Sequence, residues 1–409
     1  MTQNEPTQSK KKTFLSYIQA KIDLLKKLIG IVDEKTPISF KLSEFMQEVN
    51  SSLENLPDEY KKNYELKPVE DKFFVNKESE INALESSFSN WMKNRFVTCA
   101  IVGQKGSGVT STLDFFLAQH PQVETIRVEL KEKVYTKSKY FSFFNKLLNT
   151  EGINTNKELI EYLNKIENEK IIVIENLQHM FLKKVGGFES MELLYELLSY
   201  TTKKVLWIGV FTPQTWNYLD KTISISNYFT SEIVMQELDS QMIKDIMLKR
   251  LENKSTEIEF IPNEETSKAK TFQNLDKEKQ QLDLEENYFK ILHKLSNGNI
   301  SLAQLYWIRS ISIKDKNILT VKEIDDFDYS FIKNLSSEVL FTLQALILHD
   351  GLTIKDFSAV MRESATESRK ILMPMLERGL LIQPHEKFNI NPAIYKQVFD
   401  YLSSKNFIH

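Results

Sequence analysis

The chain has almost no cysteine, no long apolar run and no surplus of positive charge. Cys99 is the single cysteine among 409 residues, which excludes a disulfide framework or a cysteine-based metal cluster and fits a reducing cytosol. A net charge of −3 excludes a general electrostatic attraction to nucleic acid. The longest apolar runs, such as VLWIGVF at 205–211, fall far short of the roughly 18 residues of a membrane span, and the polar start shows no signal peptide. We therefore expect a cytoplasmic protein of two or three domains.

Strands and helices alternate through the middle of the chain. Five short segments are rich in β-branched and aromatic residues and almost continuously apolar: 96–103, 123–130, 170–176, 204–211 and 232–238. Such segments are typical of strands buried on both faces of a parallel sheet. Helical spacing marks the segments between them: 110–119, 138–149, 156–167 and 189–201. The pattern predicts a three-layer α/β domain over 71–238.

The flanking segments are predicted to be mainly helical. Residues 1–70 would form an N-terminal attachment region, with an amphipathic helix over 11–31. Residues 239–330 would form a helical lid, interrupted at 261–281 by a polar stretch that predicts a mobile insertion. In residues 331–409 the order of three helices, two strands and a final helix predicts a winged-helix domain.

The stretch GQKGSGVTS, residues 103–111, lies between a predicted strand and a predicted helix. Its glycines let backbone N–H groups approach phosphate oxygens, and the helix N-terminus adds its positive end. The residues expected to contact a bound nucleotide are Gly103, Gln104, Lys105, Gly106, Ser107, Gly108, Val109, Thr110 and Ser111. A phosphate-binding loop of the form G-x-x-x-x-G-K-[ST] has lysine where this chain has Val109, although Lys105 could bend back toward the phosphates. Two interpretations stay open, a nucleotide-binding loop and a glycine-rich turn without a ligand.

The strand IIVIEN, residues 171–176, ends in two residues that bear on catalysis. Glu175 stands where a metal-organising carboxylate is expected and, together with Thr110, predicts a Mg²⁺ site. Asn176 stands where a catalytic carboxylate is expected, and an amide cannot accept a proton from water. Glu175 has a second interpretation, a strand-end acid that caps the next helix.

Arginine is absent between Arg127 and Arg250. An arginine commonly offsets the negative charge that spreads over the γ-phosphate during phosphoryl transfer. Several lysines remain in this span, but a lysine lacks the planar fork of a guanidinium. The span between Arg127 and Arg250, where such an arginine usually lies, therefore offers no residue for this role.

The motifs resemble those of the AAA+ P-loop ATPases, in particular the branch of replication initiators, transposition helper ATPases and STAND-type switches. GQKGSGVT is similar to Walker A apart from Val109, and IIVIEN is similar to a weakened Walker B. FFVNKESEINAL, residues 73–84, resembles the box that precedes the loop. The resemblance places Thr212 at the sensor-1 position, and Ser301 in SNGNISLAQ at the position of the sensor-2 arginine.

The resemblance covers about 73–409 and implies ATP or ADP with Mg²⁺, oligomerisation and conformational switching. A narrower likeness, in 205–219 and 391–409, is to a group of bacterial ATP-binding proteins that are often joined to membrane segments. The changed motif positions predict a nucleotide-binding switch or scaffold that acts through an oligomer or a partner protein, with little or no hydrolysis alone. Two alternatives stay open: an active ATPase that remodels DNA or protein with groups supplied in trans, and a nucleotide-independent adaptor.

Two further segments bear on partners. Residues 335–409 contain eight Lys and Arg against eight Asp and Glu, so contact with protein is favoured over contact with DNA, whose binders usually show a basic face. The candidate recognition helix at 365–379 is only modestly basic. The lysine-flanked helix at 11–31 would contact an anionic membrane surface, an oligomer partner or the α/β domain.

Overall fold

A computed structural model describes residues 37–61, 77–201, 203–251, 257–315, 318–324 and 328–408. The predicted helix at 11–31 lies outside the described residues. The first described elements are α1 (Pro37–Asn55) and the short α2 (Asp58–Lys61).

The central part of the chain is an α/β domain whose elements agree with the predicted strands and helices to within a few residues. In chain order they are α3 (Glu78–Met92), β1 (Thr98–Val102), α4 (Val109–Ala118), β2 (Glu124–Glu129), α5 (Lys137–Leu148), α6 (Asn156–Asn164), β3 (Lys170–Glu175), α7 (Glu189–Thr201), β4 (Val205–Phe211), α8 (Pro213–Ile223) and β5 (Ser231–Val234). The strands form one parallel sheet in the order β2–β3–β4–β1–β5.

Side chains of the sheet alternate between two hydrophobic cores. Ile172 and Ile174 of β3 belong to the core that α5, α6, α7 and α8 cover. Ile171 and Val173 belong to the core on the opposite face, which α3 and α4 cover. Because a strand exposes successive residues to opposite faces, a continuously apolar strand needs helices on both sides. The predicted three-layer α/β fold is confirmed.

The next part of the chain contains strands that the sequence analysis missed. Its elements are α9 (Ser240–Lys249), β6 (Glu257–Ile261), α10 (Glu264–Lys268), α11 (Lys270–Gln273), α12 (Lys277–Ser296), α13 (Ile300–Ser310), β7 (Ile311–Asp315) and β8 (Ile318–Lys322). The three strands form a small sheet in the order β6–β8–β7. The predicted helical lid therefore also contains a small sheet that was not predicted. Strands of five residues carry too short an alternation to be distinguished from the adjoining helical pattern.

The polar stretch at 261–281, predicted to be a mobile insertion, is built into this region as α10, α11 and the start of α12. Phe272 is buried, and the side-chain amide of Gln280 donates hydrogen bonds to the carbonyls of Phe272 and Leu275, at 3.0 and 3.1 Å. Gln281 accepts a hydrogen bond from the backbone N–H of Phe260 and donates one to its carbonyl, at 2.8 and 2.9 Å. One aromatic anchor and two glutamines therefore hold a segment whose composition alone suggested disorder.

The C-terminal part has the predicted order of elements. It contains α14 (Ser337–His349), α15 (Ile354–Met361), α16 (Ala365–Glu377), β9 (Leu381–Ile382), β10 (Asn389–Ile390) and α17 (Pro392–Ser404), with β9 and β10 antiparallel. Its assignment to the winged-helix class stays a prediction. No helix in the described ranges combines the length and the hydropathy that crossing a bilayer requires.

One continuous hydrophobic core joins α1, the lid elements and the C-terminal helices. Phe45 of α1 packs edge-to-face on Tyr306 of α13, with ring centroids 5.3 Å apart. The hydroxyl of Tyr306 lies 2.7 Å from that of Tyr329, which donates to the carbonyl of Ala393 at the start of α17. The described part of the predicted attachment region thus packs on the lid.

The C-terminal part also contacts the α/β domain, through polar groups around the end of α14. Thr215 Oγ1 donates to the carbonyl of Leu348 at 2.7 Å. Lys133 Nζ is buried and donates to the carbonyls of His349, at 2.6 Å, and Gln178, at 3.3 Å. Lys387 Nζ donates to the carbonyl of Lys131 at 2.9 Å. These bonds attach α14 and the β9–β10 hairpin to the carboxyl edge of the sheet.

Lys133 makes this contact sensitive to pH. The pKa of Lys133 is lowered from 10.5 to about 7, chiefly by burial; the positive charges of Lys387 and Lys105 also lower it, and the carboxylates of Asp350 and Asp356 oppose this. A lysine whose pKa is lower in the folded state binds fewer protons there than in the unfolded chain. Between pH 7 and 10.5 the free energy of unfolding therefore rises with pH.

We predict that this rise, up to about 1.4 kcal/mol per pH unit, is lost in Lys133→Met. The measurement is urea unfolding of both proteins at pH values from 7 to 9. Lys131→Met, which alters an exposed lysine two residues away, is the control and should follow the original chain. Parallel pH profiles for the original chain and Lys133→Met would contradict the prediction.

Candidate nucleotide-binding site

A cavity of about 320 Å³ lies at the carboxyl edge of the sheet, between the loop after β1 and the lid. Gly103, Gln104, Lys105, Gly106, Gly108, Val109, Thr110 and Ser111 line it, as do Glu175, Asn176 and Thr212. The structure thus brings together the residues predicted for the site, with the exception of Ser107, whose side chain is buried within the loop. Ligand pockets are usually of this size or larger.

The glycines of the loop hold conformations and contacts that a side chain would disturb. Gly106 and Gly108 have φ values of +78° and +89°, in the left-handed region that favours glycine. At Gly103 an added Cβ would lie 2.6 Å from Val109 Cγ2 and 2.8 Å from Ser107 Oγ. The loop begins at the sheet, where Gly103 N–H donates to the carbonyl of Phe211 at 3.0 Å.

Val109 is the first residue of α4, and its side chain belongs to the core beneath the loop. It is 9% exposed and packs with the apolar residues of β1 and α4. A valine here stabilises the junction of loop and core, but it offers no charge to a phosphate. The backbone N–H groups at the start of α4 are then the donors that the helix itself can present to an anion.

The lid rests directly on the loop. The backbone N–H of Ile300 donates to the carbonyl of Gly106 at 2.9 Å, and Asn299 Nδ2 donates to the carbonyl of Lys105 at 2.6 Å. Asn299 also caps α13, because its Oδ1 accepts the N–H of Leu302 at 3.0 Å. Ser301, at the position of the sensor-2 arginine, lines the cavity.

Lys105, which could bend back toward bound phosphates, is paired with the C-terminal part instead. Its Nζ lies 2.7 Å from Asp350 Oδ1, at the end of α14. Asp350 is largely buried: burial raises its pKa, but the charge and hydrogen bond of Lys105, together with the charge of Lys133, lower it, and the pKa ends below its usual value. The carboxylate is therefore ionised and forms an ion pair with Lys105, the one lysine of the loop.

Glu175 and Thr110, the residues predicted for a Mg²⁺ site, are hydrogen-bonded to each other, and Glu175 has a second partner. Thr110 Oγ1 donates to Glu175 Oε2 at 3.4 Å, while Arg127 Nε donates to Glu175 Oε1 at 2.7 Å. Arg127 also pairs with Asp114 of α4. A hydroxyl and a carboxylate oxygen side by side at the helix start are suitable Mg²⁺ ligands, so the residues present fit that ion. The guanidinium of Arg127 offsets part of the negative charge that would attract it.

Asn176 follows β3 in the left-handed region, with φ +58°, which asparagine tolerates. Its side-chain amide donates to Glu129 Oε1 at 3.0 Å, and its Oδ1 accepts from Gln178 Nε2 at 3.2 Å. Thr212 follows β4, and its hydroxyl donates to Thr215 Oγ1 at 2.9 Å. The interpretation of Glu175 as a helix cap has no support in its contacts, which are with Arg127 and Thr110.

Several residues of the site were not predicted from the sequence, chiefly Arg127, Glu129, Gln178, Arg250 and Asp350. For two of them a signal existed: Arg127 is a charge inside an apolar strand, and Glu129 ends the strand beside Glu175. The carboxyl ends of parallel strands meet at one edge, so β2 had to contribute to the site. Arg250, buried at the end of α9, donates from its guanidinium to Gln304 Oε1 at 2.7 Å, and both residues line the cavity.

We predict that Gly106→Ala destabilises the chain by about 1 kcal/mol more than Gly152→Ala. Both glycines have positive φ, so both variants incur the cost of a left-handed side chain, roughly 1–2 kcal/mol. Only at Gly106 would the new Cβ approach Asn299 Oδ1, at 2.7 Å, and disturb a helix cap worth about 1 kcal/mol. A Cβ added at Gly152 would have no described atom within 4 Å apart from its chain neighbours. Urea unfolding measures the difference; equal losses would show that the lid does not rest on the loop in solution.

Comparisons with known proteins agree with this geometry. Residues 98–219 match the family model described as an AAA domain. No curated protein sequence matches the chain. Solved structures similar to the chain include ORC2 from Aeropyrum pernix, at 12% identity over 84% of this chain and 98% of that one, with a TM-score of 0.40. Cdc6p from Pyrobaculum aerophilum has the same identity and coverage and a TM-score of 0.42. RuvB from Thermotoga maritima is 14% identical over 80% of this chain and 95% of that one, with a TM-score of 0.32.

TM-scores this low carry no argument of their own. The assignment rests instead on the family match together with the parallel sheet and the glycine-rich loop between β1 and α4. The α/β domain of the chain is an AAA+ P-loop domain.

Proposed function

We propose that the chain is a nucleotide-binding switch or scaffold with little or no hydrolysis of ATP on its own. The observation that carries the proposal is the ion pair between Lys105 of the loop and Asp350 of the C-terminal part, at 2.7 Å. In this arrangement a carboxylate of the chain holds the only lysine that the loop could offer to a phosphate. A bound nucleotide and the C-terminal part would therefore compete for the same side chain.

This competition links nucleotide binding to the position of the C-terminal part. A phosphate that attracts Lys105 would leave Asp350 as a buried carboxylate without its ion-pair partner, which is costly. The contact of α14 with the sheet would then weaken. Conversely, a partner protein that stabilises this contact would lower nucleotide affinity, because the two effects are reciprocal.

The low rate of ATP hydrolysis in this proposal follows from the side chains that line the cavity. Val109 brings no charge to the phosphates, and Ser301 brings none from the lid. In our proposal Thr110 and Glu175 hold Mg²⁺ with ATP or ADP, and Mg²⁺ would neutralise phosphate charge. The cavity itself contributes backbone N–H groups at the start of α4 and the hydroxyl of Thr110.

The proposal includes a partner, either further copies of the chain or another protein. It also includes four domains, with boundaries at 1–70, 71–238, 239–330 and 331–409. Residues 11–31 would attach the chain to an oligomer, a partner or a membrane surface. The balanced charge of 335–409 favours protein over DNA as the contact of the C-terminal part.

We predict that Asp350→Asn raises the affinity for ADP and ATP about tenfold, because Lys105 becomes available for a charge-assisted contact with phosphate. Asparagine accepts the left-handed φ of +53° at this position and can still accept a hydrogen bond from Gln178, so the local shape is kept. Titration of a fluorescent nucleotide measures the affinity, at fixed salt and with Mg²⁺ present.

Lys105→Met provides the matched control. In the original chain it should change nucleotide affinity little, whereas in the Asp350→Asn background it should remove the gain. An equal effect of Lys105→Met in both backgrounds would show that the ion pair does not compete with nucleotide. The complete absence of nucleotide binding, with all variants folded, would favour the nucleotide-independent adaptor. Turnover near one per second by the chain alone would favour the active ATPase.

A further inference from the structure

Glu129 and Asn176 form a carboxylate–amide pair at the cavity. Glu129 is the last residue of β2 and lies opposite Glu175, the last residue of β3, in the parallel register. Asn176 comes next in the chain and donates from Nδ2 to Glu129 Oε1 at 3.0 Å. Both residues line the cavity, and Glu129 is exposed there. The carboxylate that is missing at Asn176, after β3, is therefore present at the end of the neighbouring strand.

We propose that Glu129 is the general base of a slow nucleoside triphosphate hydrolysis, positioned by Asn176. The inference rests on the proposed nucleotide switch and gives it a means of reset. Glu129, at the end of β2, would then take the role of the catalytic carboxylate that is expected at the position of Asn176.

Glu175 is a poorer base than Glu129 because both of its oxygens are engaged. Arg127 donates to Oε1 and Thr110 to Oε2. In Glu129 only Oε1 accepts a hydrogen bond from the described part of the protein. Its Oε2 is left to accept a hydrogen bond from water in the cavity, as a general base must.

The side-chain amide of Gln178 fixes the orientation of the Asn176 amide in this pair. Gln178 is buried, and its Nε2 donates both to Asn176 Oδ1 and to Asp350 Oδ2, each at 3.2 Å. Because Oδ1 of Asn176 accepts from Gln178, the Nδ2 of Asn176 is turned toward Glu129. Asn176 is thus a positioning residue that orients a carboxylate which it cannot itself supply.

The step is a hydrolysis with water as nucleophile. Water oxygen forms a bond to the γ-phosphorus while the bond between that phosphorus and the β–γ bridging oxygen breaks, and the leaving diphosphate keeps the electron pair. Glu129 accepts the water proton and later releases it to solvent. Nucleoside diphosphate and inorganic phosphate are the products, and no further reactant is needed.

The test is single-turnover hydrolysis of radiolabelled ATP, with the full-length chain in excess. We expect the original chain to release phosphate slowly, far below one turnover per second. Glu129→Gln, which keeps the size of the side chain, should lower the rate about 10²-fold, at the lower end of the usual effect of a general base. The affinity for ATP, titrated in parallel, should change less than threefold.

Two further variants separate the role of Glu129 from a structural one. Glu124→Gln changes the acid at the opposite end of β2, which pairs with Lys170, and should leave the rate unaltered. Exchange of the pair, Glu129→Asn with Asn176→Glu, keeps one carboxylate and one amide and should restore the rate to within about tenfold of the original.

The outcomes distinguish this inference from the proposed function. ATP binding without hydrolysis, or equal rates for Glu129→Gln and the original chain, would overturn the role of Glu129 and leave the nucleotide switch intact. The absence of ATP binding would overturn both. A rate lost in Glu129→Gln and regained in the exchanged pair is the result that supports the inference.

Discussion

The parallel pairing of β1, β4, β3 and β2 is the constraint on which the site depends. The register sets Val102 opposite Phe211, and Glu129 opposite Glu175, so that four strands end at the same level. The loop, the pair Glu175 and Asn176 at the end of β3, and Thr212 after β4 therefore reach one edge of the sheet although they are far apart in sequence. At this edge the helix N-terminus of α4 supplies positive potential, and the strand ends supply side chains.

A chain of hydrogen bonds connects this edge to the C-terminal part. It runs from Glu129 through Asn176 and Gln178 to Asp350 and ends at Lys105, with donor–acceptor distances of 3.0, 3.2, 3.2 and 2.7 Å. Both acceptors of the Gln178 amide are members of this chain. If Asp350 withdrew, a buried donor would lose one of its acceptors, which costs free energy unless water replaces it. The carboxylate suited to activate water and the lysine suited to bind phosphate are thus joined by the same few side chains.

Local patterns predicted the sheet and the loop, whereas distant pairings were hidden. The five parallel strands and Gly103 to Thr110 have signatures within a few residues, because a buried strand and a phosphate loop are defined by short-range rules. Lys105 and Asp350 are separated by most of the chain, and no periodicity links them. The small sheet of β6, β7 and β8 escaped for a different reason, since its strands are brief and follow directly on helices.

The distribution of apolar contacts indicates which parts would move together. The lid and the C-terminal helices share one hydrophobic core, which includes Trp307 of α13 and Leu346 of α14. The α/β domain meets α14 through hydrogen bonds to the carbonyls of Leu348 and His349 and through the pair formed by Asp350. The apolar contacts beside these bonds are fewer and include Leu182, in the shared core, and Leu348, which packs on the core of the α/β domain. Separating an apolar core exposes its whole surface to water, while water can replace broken polar contacts. A conformational change would therefore open the polar contact first and carry the lid with the C-terminal part, which would also lift Asn299 and Ile300 from the loop. Because the same movement releases Lys105 and exposes the cavity, nucleotide exchange and the displacement of the C-terminal part would be one event.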